Sequence, residues 1–492
     1  MTGRRPAAGA AGTVAGRIRA VAARRADAPA VIGLDEHDAE ELLSWRALAD
    51  RSSRIARLLR ERCGPDGVRP VVAVPATNTP ATVVRLAGVL AAELPVLPLD
   101  PRSPEAERDQ LLGFVAAEHG PVLLLDGDTL VPVGEPGPVD SARAGPGYLL
   151  ATGGSSGMTK VVAVPGPVRY DPALIPSPLL RKAGWRSEQR QLVAGPLHHT
   201  APFTHWLNGM LDEHTVVLLP VFAADLLLES IRRYSIEWLQ TTPAHLRSIL
   251  QLADPEPADL ASLQALLHTA AACDLATKKA WLELAGPKRV FETYGSTEDI
   301  GVTLVRGDEW LARPGTVGKG FLTQIRILDD AGKRLPPGDV GTIYMRSPRM
   351  AGRTSYLGDL RMDSTPDGFA TVGDHGWLDE EGYLFLAPRR IDLINVGGEN
   401  VYPAEVEAAI LEHPAVVDAV VVGAPDPVLG SVVHARVVPR KSARLSRTDL
   451  IRHCATRLSP YKVPRDVSFV STVPRSVAGK LERWRMRDSG GV

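Results

Sequence analysis

The sequence predicts an α/β protein: a large N-terminal domain of α/β layers with a β-rich part, followed by a small mobile α+β domain. Three observations lead to this prediction. Short β-branched runs alternate with helical patterns up to about residue 290, which is the order of a parallel sheet covered by helices. From about residue 313 the pattern changes to short strands separated by Gly and Pro turns. At 492 residues the chain is too long for one hydrophobic core, so two or more domains are expected.

The first run of alternating elements begins the predicted parallel layer. Ser44 is the predicted N-cap of a helix that runs from Trp45 to about Cys63, because serine accepts hydrogen bonds from the free N–H groups of a helix start. Leu48 and Ile55 keep an approximately helical spacing within it. The other predicted elements of this run are helices at residues 17–25 and 78–92 and strands at residues 30–32, 70–75 and 94–97.

A loop rich in glycine and hydroxyl side chains follows a predicted strand, with the sequence L-L-A-T-G-G-S-S-G-M-T-K at residues 149–160. Glycine permits positive φ, so successive N–H groups can turn inward and form a nest for an anion. Thr152, Ser155 and Ser156 add hydroxyl groups, and Lys160 adds a positive charge. The loop is equipped to bind a polyphosphate, although a hairpin turn or linker can have the same composition. It is not a Walker A loop, because Val161 stands where that motif has a magnesium-binding Ser or Thr.

A second run of alternating strands and helices, at residues 190–285, contains two adjacent histidines. The segment G-P-L-H-H-T-A-P-F places His198 and His199 between a proline and the start of an apolar helix. No carboxylate or cysteine lies at ligand spacing, so a pocket wall or a general base is favoured over a metal ligand. Further along, the run A-A-A at residues 270–272 follows a predicted strand and leaves room for tight packing or for a large ligand.

Two later motifs offer the groups that a nucleotide needs. In F-E-T-Y-G-S-T-E, residues 291–298, Tyr294 beside Gly295 provides a flat face for a base and allows close approach of the backbone. Glu298 offers a carboxylate of the kind that binds Mg²⁺ near phosphates. Asp374, in T-V-G-D-H-G-W, is placed to accept two hydroxyl groups of a ribose. Each of these motifs taken alone is also compatible with an ordinary turn.

The predicted domain boundary lies in the charged segment after the β-rich part. We expect an N-terminal domain at residues 1–387, with its β-rich part at about 313–387, a hinge at 388–395 and a C-terminal domain at 396–492. The C-terminal domain has about 100 residues, which is a usual size. It ends in P-R-S-V-A-G-K, where Lys480 follows a glycine in a turn.

The overall composition argues against several classes of protein. A net charge of −1 gives no electrostatic footprint for nucleic acid or for an anionic membrane. Cys63, Cys273 and Cys454 are far apart and indicate small buried side chains of a reducing compartment. No apolar stretch has the length of a membrane span, and the N-terminus has no secretory h-region. We therefore expect a cytoplasmic enzyme.

Taken in order, the motifs resemble the adenylate-forming superfamily, which includes acyl-CoA synthetases, luciferases and the adenylation domains of peptide synthetases. The resemblance covers nearly the whole chain, from about residue 44 to residue 483. It rests on T-G-G-S-S-G-M-T-K (152–160), P-L-H-H (196–199), Y-G-S-T-E (294–298), G-D-H-G-W (373–377), R-R-I-D-L-I-N-V-G-G-E-N-V-Y-P-A-E-V-E (389–407) and P-R-S-V-A-G-K (474–480). The segments around the two histidines and L-H-T-A-A-A-C are most similar to the branch that includes bile-acid CoA ligases.

The resemblance implies an acyl-CoA ligase that joins a bulky, polycyclic carboxylic acid, such as a terpenoid or steroid-like acid, to coenzyme A through an acyl-AMP intermediate, with ATP and Mg²⁺. The residues that would bind the nucleotide are Thr152, Gly153, Gly154, Ser155, Ser156, Gly157, Lys160, Tyr294, Gly295, Thr297, Asp374 and Arg389, with Glu298 on Mg²⁺. The implied catalytic residues are Lys480, His199 and Glu298. The implied acyl pocket is His198, His199, Thr269, Ala270 and Ala271, and the implied CoA tunnel is Gly397, Gly398, Glu399 and Asn400.

The resemblance also implies that the two domains move. Lys480 would bridge the carboxylate and the α-phosphate during adenylation and stabilise the charge that develops in the transition state. The small domain would then swing about the hinge, which removes the lysine and brings the loop at residues 397–403 in to form the pantetheine tunnel.

The sequence departs from the family pattern at the phosphate loop and at the hinge. Gly153 and Thr159 stand where the family has serine and proline, while Pro388 and Ile391 stand where it has glycine and a charged residue. Proline fixes φ and isoleucine is stiff and costly to expose, so we expect a stiffened hinge. One hypothesis is that the protein performs only the thioester-forming half-reaction, on an acyl-adenylate from a separate ligase. The alternatives are an ordinary ligase, an adenylation enzyme that loads a carrier protein, and a non-catalytic acyl-AMP sensor.

Overall fold

The computed structural model describes residues 12–35, 39–63, 69–127, 129–133, 145–152, 160–271, 273, 275–347, 354–387, 394–440 and 444–473. Within these ranges the helices are α1 (Val14–Arg25), α2 (Trp45–Cys63), α3 (Pro80–Ala91), α4 (Glu105–His119), α5 (Pro178–Lys182), α6 (Thr200–Leu211), α7 (Ala224–Arg233), α8 (Pro243–Leu252), α9 (Leu275–Ala285), α10 (Gly307–Ala312), α11 (Pro403–Leu411) and α12 (Arg447–Ala455). None of the helices in these ranges combines the length and the apolar character that crossing a bilayer requires.

The strands follow the same chain order. They are β1 (Gly12–Thr13), β2 (Pro29–Leu34), β3 (Glu40–Ser44), β4 (Val71–Pro75), β5 (Val96–Leu99), β6 (Val122–Asp126), β7 (Thr129–Val133), β8 (Pro146–Thr152), β9 (Lys160–Pro165), β10 (Arg169–Tyr170), β11 (Arg190–Val193), β12 (Thr215–Leu218), β13 (Trp238–Thr241), β14 (Ala265–His268), β15 (Val290–Glu292), β16 (Thr303–Arg306), β17 (Thr316–Gly320), β18 (Gln324–Leu328), β19 (Gly341–Arg346), β20 (Ser355–Tyr356), β21 (Asp363–Ser364), β22 (Ala370–Thr371), β23 (His375–Leu378), β24 (Leu384–Leu386), β25 (Ile394–Val396), β26 (Glu399–Val401), β27 (Val416–Asp426), β28 (Gly430–Pro439) and β29 (Asp466–Phe469).

The first sheet is built around β4, whose residues V-V-A-V are all buried. A strand that is buried on both faces belongs in the middle of a parallel layer. β4 pairs in parallel with β5 and β6, and β5 pairs in parallel with β8, giving the order β20-β9-β8-β5-β4-β6-β7. The carboxyl end of β8 is Thr152, so the phosphate loop leaves the sheet at the edge where α/β proteins bind ligands.

The second sheet has a parallel half and an antiparallel half. β2, β12, β11, β13, β14 and β15 are neighbours in parallel, and β16, β17 and most of the following strands continue the sheet in antiparallel pairs. The predicted change to antiparallel pairing in the β-rich part is therefore observed. One hydrophobic core joins the two sheets, since it contains Val74 of β4, Val216 of β12 and Trp206 of α6.

The C-terminal region has its own sheet and its own core. Its strand order is β26-β25-β28-β27, and β29 pairs in parallel with β28. Val406 of α11, Val421 of β27 and Cys454 of α12 share this core. The predicted fold class, a large α/β domain and a small α+β domain, is confirmed. The predicted boundaries at residues 387 and 396 stay predictions, because residues 388–393 lie outside the described ranges.

Several predicted elements match, and the differences have local causes. The Ser44 hydroxyl accepts a hydrogen bond from the backbone N–H of Ala47, which confirms the predicted N-cap of α2. The third helix begins at Pro80 and not at residue 78, because the Thr79 hydroxyl caps it. The strand predicted at residues 94–97 lies at 96–99, since Glu93 adopts a φ of 64° and the turn that ends α3 extends through residue 94.

Candidate functional site

The ends of the phosphate loop lie side by side at the edge of the first sheet. Thr152 closes β8 and Lys160 opens β9, and the two residues are paired in the antiparallel ladder. The Lys160 ammonium lies 5.1 Å from the centre of the Tyr356 ring. The predicted loop residues Gly153, Gly154, Ser155, Ser156 and Gly157 lie outside the described residues, as does Thr159. Their role in phosphate binding stays a prediction.

Tyr356 connects this edge to the predicted magnesium ligand. Its hydroxyl donates a hydrogen bond to Glu298 Oε1 at 2.6 Å, and the Thr354 hydroxyl donates to the Glu298 carbonyl oxygen. Burial, together with the Glu298 carboxylate, raises the pKa of Tyr356 above its ordinary value, so the phenol keeps its proton. Glu298 is therefore held as a hydrogen-bond acceptor by Tyr356, whose ring also faces Lys160. A single carboxylate of this kind fits Mg²⁺, which usually takes one or two carboxylates plus substrate phosphates.

The two predicted nucleoside contacts meet in the structure although they are far apart in the chain. The Tyr294 hydroxyl donates a hydrogen bond to Asp374 Oδ2 at 2.8 Å, and Asp374 is buried. The backbone N–H of Tyr294 donates to the Thr303 hydroxyl at 3.2 Å, which fixes the start of the motif. An aromatic face and a carboxylate therefore lie together, as adenine and ribose require. Arg389, the third predicted contact, lies outside the described residues.

Thr297 and Gly295 fix the rest of this motif. The Thr297 hydroxyl lies 2.7 Å from the hydroxyl of Thr200, the first residue of α6, and so links the nucleotide motif to the histidine segment. Gly295 forms an isolated antiparallel bridge with Val302. Thr297 therefore connects the predicted nucleotide site to the residue that follows His199.

The two adjacent histidines have opposite electrostatic environments. Their rings lie 4.3 Å apart. His198 is buried with its Nε2 3.5 Å from Asp100 Oδ2, and Asp100 is bound by the Arg102 guanidinium at 3.1 and 3.2 Å. Burial and the neighbouring His199 lower the pKa of His198 to about 3, so His198 is neutral at pH 7. Neutral His198 cannot serve as a cation for the acid substrate.

His199 instead faces the C-terminal domain. Its Nε2 lies 2.7 Å from Glu399 Oε1, on the strand that follows Gly397 and Gly398. Burial opposes protonation of His199, but the Glu399 carboxylate outweighs it and raises the pKa of His199 above its ordinary value. The two environments push the pKa values of adjacent histidines apart, which is a pattern of acid–base sites. Glu399, predicted for the CoA tunnel, therefore meets the predicted catalytic histidine.

The glycines of the same loop lie against the large domain. Gly397 and Gly398 have φ of 62° and 100°, conformations that favour glycine, and the N–H of Gly398 donates to Asn395 Oδ1 at 3.0 Å. A Cβ atom on Gly398 would lie 3.5 Å from Thr242 Cγ2. Asn400 is exposed beside the loop, where its Oδ1 accepts from Asn395 at 3.4 Å. The loop is thus shaped for close approach of the two domains.

A second polar contact between the domains was not predicted from the sequence. Lys462, which is buried, lies 2.7 Å from Glu107 Oε1 of α4 and 2.5 Å from Glu405 Oε1 of α11. The Ser459 hydroxyl donates to Glu107 Oε2 at 2.9 Å. Burial opposes the charge on Lys462, but Tyr461 and the two carboxylates raise its pKa above the ordinary value. One cation therefore joins a helix of each domain.

Two cavities lie next to these groups. The smaller, of about 70 Å³, lies between the domains and is lined by His198, His199, Thr152 and Lys462 among others. The larger is a partly open cavity of about 220 Å³ in the large domain, and its lining comprises Tyr148, Leu150, Val164, Ser177, Leu179, Leu180, Thr200, Thr204, His205, Asn208, Ser296, Thr297, Asp299 and Thr354. Thr269, Ala270 and Ala271 line neither of these two cavities, so their place in an acyl pocket stays a prediction.

Several residues of the candidate site were not predicted from the sequence, although the spacing of polar residues in α6 could have indicated some of them. Helix α6 is apolar except for polar residues such as Thr200, Thr204 and Asn208, which follow each other at four-residue spacing and lie on one helix face. That stripe lines the larger cavity. Lys462 and Glu107 are 355 positions apart, so no local pattern could have paired them. Lys480 and the hinge residues Pro388 and Ile391 lie outside the described residues.

Comparisons with known proteins agree with the order of these motifs. Residues 18–130 and 131–353 match the family of AMP-binding enzymes, and residues 405–480 match the C-terminal domain of AMP-binding enzymes. The 2-succinylbenzoate–CoA ligase of Bacillus cereus is 31% identical over 306 residues, which span 62% of this chain and 62% of the relative. The match thus covers less than two thirds of that relative's length.

Solved structures of three related proteins or complexes are similar to this chain over nearly its whole length. An o-succinylbenzoate CoA synthetase double mutant from Bacillus subtilis, bound with its product analogue OSB-NCoA, has a TM-score of 0.79 at 25% identity, covering 96% of this chain and 98% of that one. The same synthetase with the acyl-adenylate OSB-AMP has a TM-score of 0.63 at 26% identity and the same coverage. An amide bond synthetase from Marinactinospora thermotolerans has a TM-score of 0.79 at 26% identity, covering 96% and 99%. The motifs, the fold and the family match together show that this chain belongs to the family of AMP-binding enzymes.

Proposed function

We propose that the protein is an acid–thiol ligase that forms a CoA thioester from a carboxylic acid through an acyl-AMP intermediate. The observation that carries this proposal is the contact between His199 Nε2 and Glu399 Oε1 at 2.7 Å. It brings the Gly397–Asn400 loop of the small domain to His199, which lines the cavity between the domains, and a thiol that follows this loop would reach an activated acyl group there. The names of the relatives, which are CoA ligases of 2-succinylbenzoate, support the same reaction class.

In the first half-reaction a carboxylate oxygen attacks the α-phosphorus of ATP, and pyrophosphate leaves. Thr152 and Lys160 would bind the phosphates, and Tyr294 and Asp374 would bind the adenosine. Mg²⁺ on Glu298 would supply charge neutralisation for the phosphates. Lys480 would contact both the carboxylate and the α-phosphate. Because a carboxylate is a poor electrophile, the AMP ester is what makes the acyl carbon reactive.

In the second half-reaction the thiolate of CoA attacks the acyl carbon, and AMP leaves. This chain is more similar to the synthetase bound with a CoA product analogue, with a TM-score of 0.79, than to the synthetase bound with an acyl-adenylate, with a TM-score of 0.63. The domain arrangement of this chain therefore supports the thiol-transfer step. His199 would contact the acyl carbonyl or the thiol, and the raised pKa that Glu399 gives it suits a proton donor at neutral pH.

The finer predictions about the acid and about the half-reactions remain proposals. The bulky, polycyclic acid predicted from the similarity of residues 195–203 and 267–273 to the branch of bile-acid CoA ligases stays a prediction, and the cavity of about 220 Å³ supports a smaller acid. Thioester formation alone, with acyl-AMP from a separate adenylating ligase, remains the alternative that Pro388 and Ile391 motivate. Loading of a carrier protein is a further alternative within the family.

A second candidate function is formation of an amide from the acyl-adenylate and an amine. The likeness to an amide bond synthetase over 96% of this chain favours it. It shares the first half-reaction and differs in the nucleophile, so CoA and simple amines tested side by side distinguish the two.

The test compares two assays on one protein preparation. Acid-dependent exchange of pyrophosphate into ATP reports adenylation, and product formation from synthetic acyl-adenylates with CoA or with an amine reports transfer. Exchange together with CoA thioester formation is expected and establishes a complete ligase. Thioester formation without exchange would establish the second half-reaction alone, and Ile391→Asp would then be the variant to test. Amides without thioesters, or no product at all, would overturn the proposal.

A further inference from the structure

Tyr356 contacts both the lysine of the phosphate loop and the predicted magnesium ligand. Its hydroxyl donates a hydrogen bond to Glu298 Oε1 at 2.6 Å, and the centre of its ring lies 5.1 Å from the Lys160 ammonium. Within the described residues, Lys160 and Glu298 form no ion pair with each other. All three side chains belong to partly exposed residues, so a ligand can reach them. One aromatic side chain therefore connects two groups that are proposed to act on ATP.

The segment that carries Tyr356 is fixed to both of these neighbours through its backbone and its side chains. Tyr356 of β20 pairs with Val162 of β9, the strand that begins at Lys160. The hydroxyl of Thr354 donates a hydrogen bond to the Glu298 carbonyl oxygen. Thr354 and Tyr356 lie two positions apart in an extended segment, and side chains with this spacing point to the same side. They therefore hold Glu298 at its backbone and at its carboxylate, on a strand that is tied to Lys160.

Tyr356 can orient an ammonium group and a carboxylate without neutralising either of them. Burial and the neighbouring Glu298 raise the pKa of Tyr356, so the phenol is uncharged at neutral pH. The face of an aromatic ring attracts an ammonium group through its quadrupole but carries no net charge. A direct ion pair between Lys160 and Glu298 would instead offset the charges that a phosphate and Mg²⁺ require. The hydrogen bond to Oε1 also leaves the second carboxylate oxygen for a cation.

We propose that Tyr356 is a positioning residue for the adenylation half-reaction, which orients Glu298 for Mg²⁺ through its hydroxyl and restrains Lys160 for the phosphates through its ring. This inference rests on the proposed function, because it takes Glu298 and Lys160 as groups that act on ATP. Carboxylates that bind metal ions are themselves held by hydrogen bonds, and loss of such a partner typically weakens metal binding about 10- to 100-fold. An ammonium group that a ring already restrains loses less freedom when a phosphate binds.

The test separates the two contacts, because phenylalanine keeps the ring and lacks the hydroxyl. Calorimetry measures the Kd of α,β-methylene-ATP, which cannot transfer AMP, for the full-length protein, once with Mg²⁺ and once with EDTA. The wild-type protein should bind this analogue more tightly with Mg²⁺. Tyr356→Phe should raise the Kd with Mg²⁺ about tenfold and leave the Kd in EDTA unchanged. Tyr356→Leu, which also lacks the ring, should in addition raise the Kd in EDTA about two- to fivefold.

Tyr234→Phe is the matched control for the loss of a phenol hydroxyl. The Tyr234 hydroxyl donates to Glu40 Oε1, also at 2.6 Å, and this contact joins the end of α7 to β3 outside the candidate site. The control should change neither Kd. An unchanged Kd with Mg²⁺ in Tyr356→Phe would overturn the inference, and so would an equal rise with and without Mg²⁺ or a wild-type protein that gains nothing from Mg²⁺. A Tyr356→Leu protein with the same two Kd values as Tyr356→Phe would overturn the role of the ring.

Assays of the two half-reactions distinguish a failure of this inference from a failure of the proposed function. Thioester formation from a pre-formed acyl-adenylate involves neither the β- nor the γ-phosphate, so Tyr356→Phe should leave it unchanged while pyrophosphate exchange falls about tenfold. An equal loss in both assays would overturn the assignment of Tyr356 to adenylation. If the Kd values change as expected but the wild-type protein forms no thioester from any acyl-adenylate, only the proposed function is overturned.

Discussion

The larger cavity and the contact between the two domains lie next to each other but consist of opposite kinds of groups. The described cavity wall has largely neutral polar side chains of one domain, most of them hydrogen bonded to each other. The domain contact consists of charged pairs from both domains, namely Lys462 with Glu107 and His199 with Glu399. Neutral, internally satisfied walls keep their shape whether or not the domains meet. Charged partners can each be solvated when they separate, so such contacts can form and break.

We infer from this contrast that the larger cavity selects the acid and that the charged contact controls domain closure. A variant of the charged contact should therefore affect thiol transfer more than adenylation. A variant inside the large domain should show the reverse. The following three predictions test this division.

The largest effect is expected for Lys462→Met. The variant leaves the carboxylates of Glu107 and Glu405 near each other without their shared cation, and breaking a buried ion pair costs about 3–5 kcal/mol. Thioester formation from a pre-formed acyl-adenylate should fall on the order of 100-fold or more, and pyrophosphate exchange should change little. Separate assays of the two half-reactions measure this difference.

Two glutamate variants control for effects on the small domain itself. Glu107→Gln removes only the partner in the large domain and leaves Lys462 bound to Glu405, so it should reproduce the selective loss in weaker form. Glu105→Gln changes a carboxylate on the same helix that is 81% exposed, and it should leave both half-reactions unchanged. An equal loss in both half-reactions for Glu107→Gln would show that the contact does not control closure.

A smaller, pH-dependent effect is expected for Glu399→Gln. The contact is strongest when His199 is protonated, and Glu399 raises the pKa of His199. Its contribution to closure is therefore complete below the ordinary histidine pKa of about 6.5 and is lost as pH rises through the raised pKa. Without Glu399 this pH dependence should disappear, and thioester formation below pH 6.5 should fall about tenfold, which corresponds to the loss of about 1.4 kcal/mol from one partly buried ion pair.

The measurement is energy transfer between fluorophores on the two domains, recorded from pH 5.5 to pH 9. The groups that face His199 besides Glu399 are His198, Asp100 and Arg102, and the variant leaves all three in place. If Glu399→Gln keeps the wild-type profile, one of these groups, and not the pair with Glu399, sets the pH dependence.

The smallest effect is expected for Tyr294→Phe, which lies within the large domain. The variant removes the hydroxyl that donates to Asp374 and should raise the KM for ATP about three- to tenfold, the effect of losing one ordinary hydrogen bond. Transfer from pre-formed acyl-adenylate to CoA should keep its kcat. Tyr344→Phe is the matched control, because its hydroxyl donates to the exposed Asp363 at 3.2 Å. A rise in the KM for ATP in both variants would indicate a general effect on the sheet.

Much of the fold could be predicted because its determinants are local. The hydroxyl of Ser44 and the apolar spacing after it define α2, and the β-branched residues V-V-A-V define β4. The element limits that were missed depend on turns, such as the positive φ of Glu93 that ends α3. Tyr294, Asp374, His199 and Glu399 could be singled out because each lies in an ordered motif. Their mutual contacts could not be predicted, since the partners are 80 and 200 residues apart and share no local pattern.

The sequence by itself determined the fold class, the family and the order of the motifs, because periodicity, capping residues and short glycine-rich segments act over a few residues. Only the tertiary structure decided which charges meet and how large the cavity of about 220 Å³ beside them is. His198 and His199 show the reason most clearly. They are neighbours in sequence, yet burial lowers the pKa of His198, whereas a carboxylate from the other domain raises the pKa of His199. Burial and long-range charge exist only after the chain has folded.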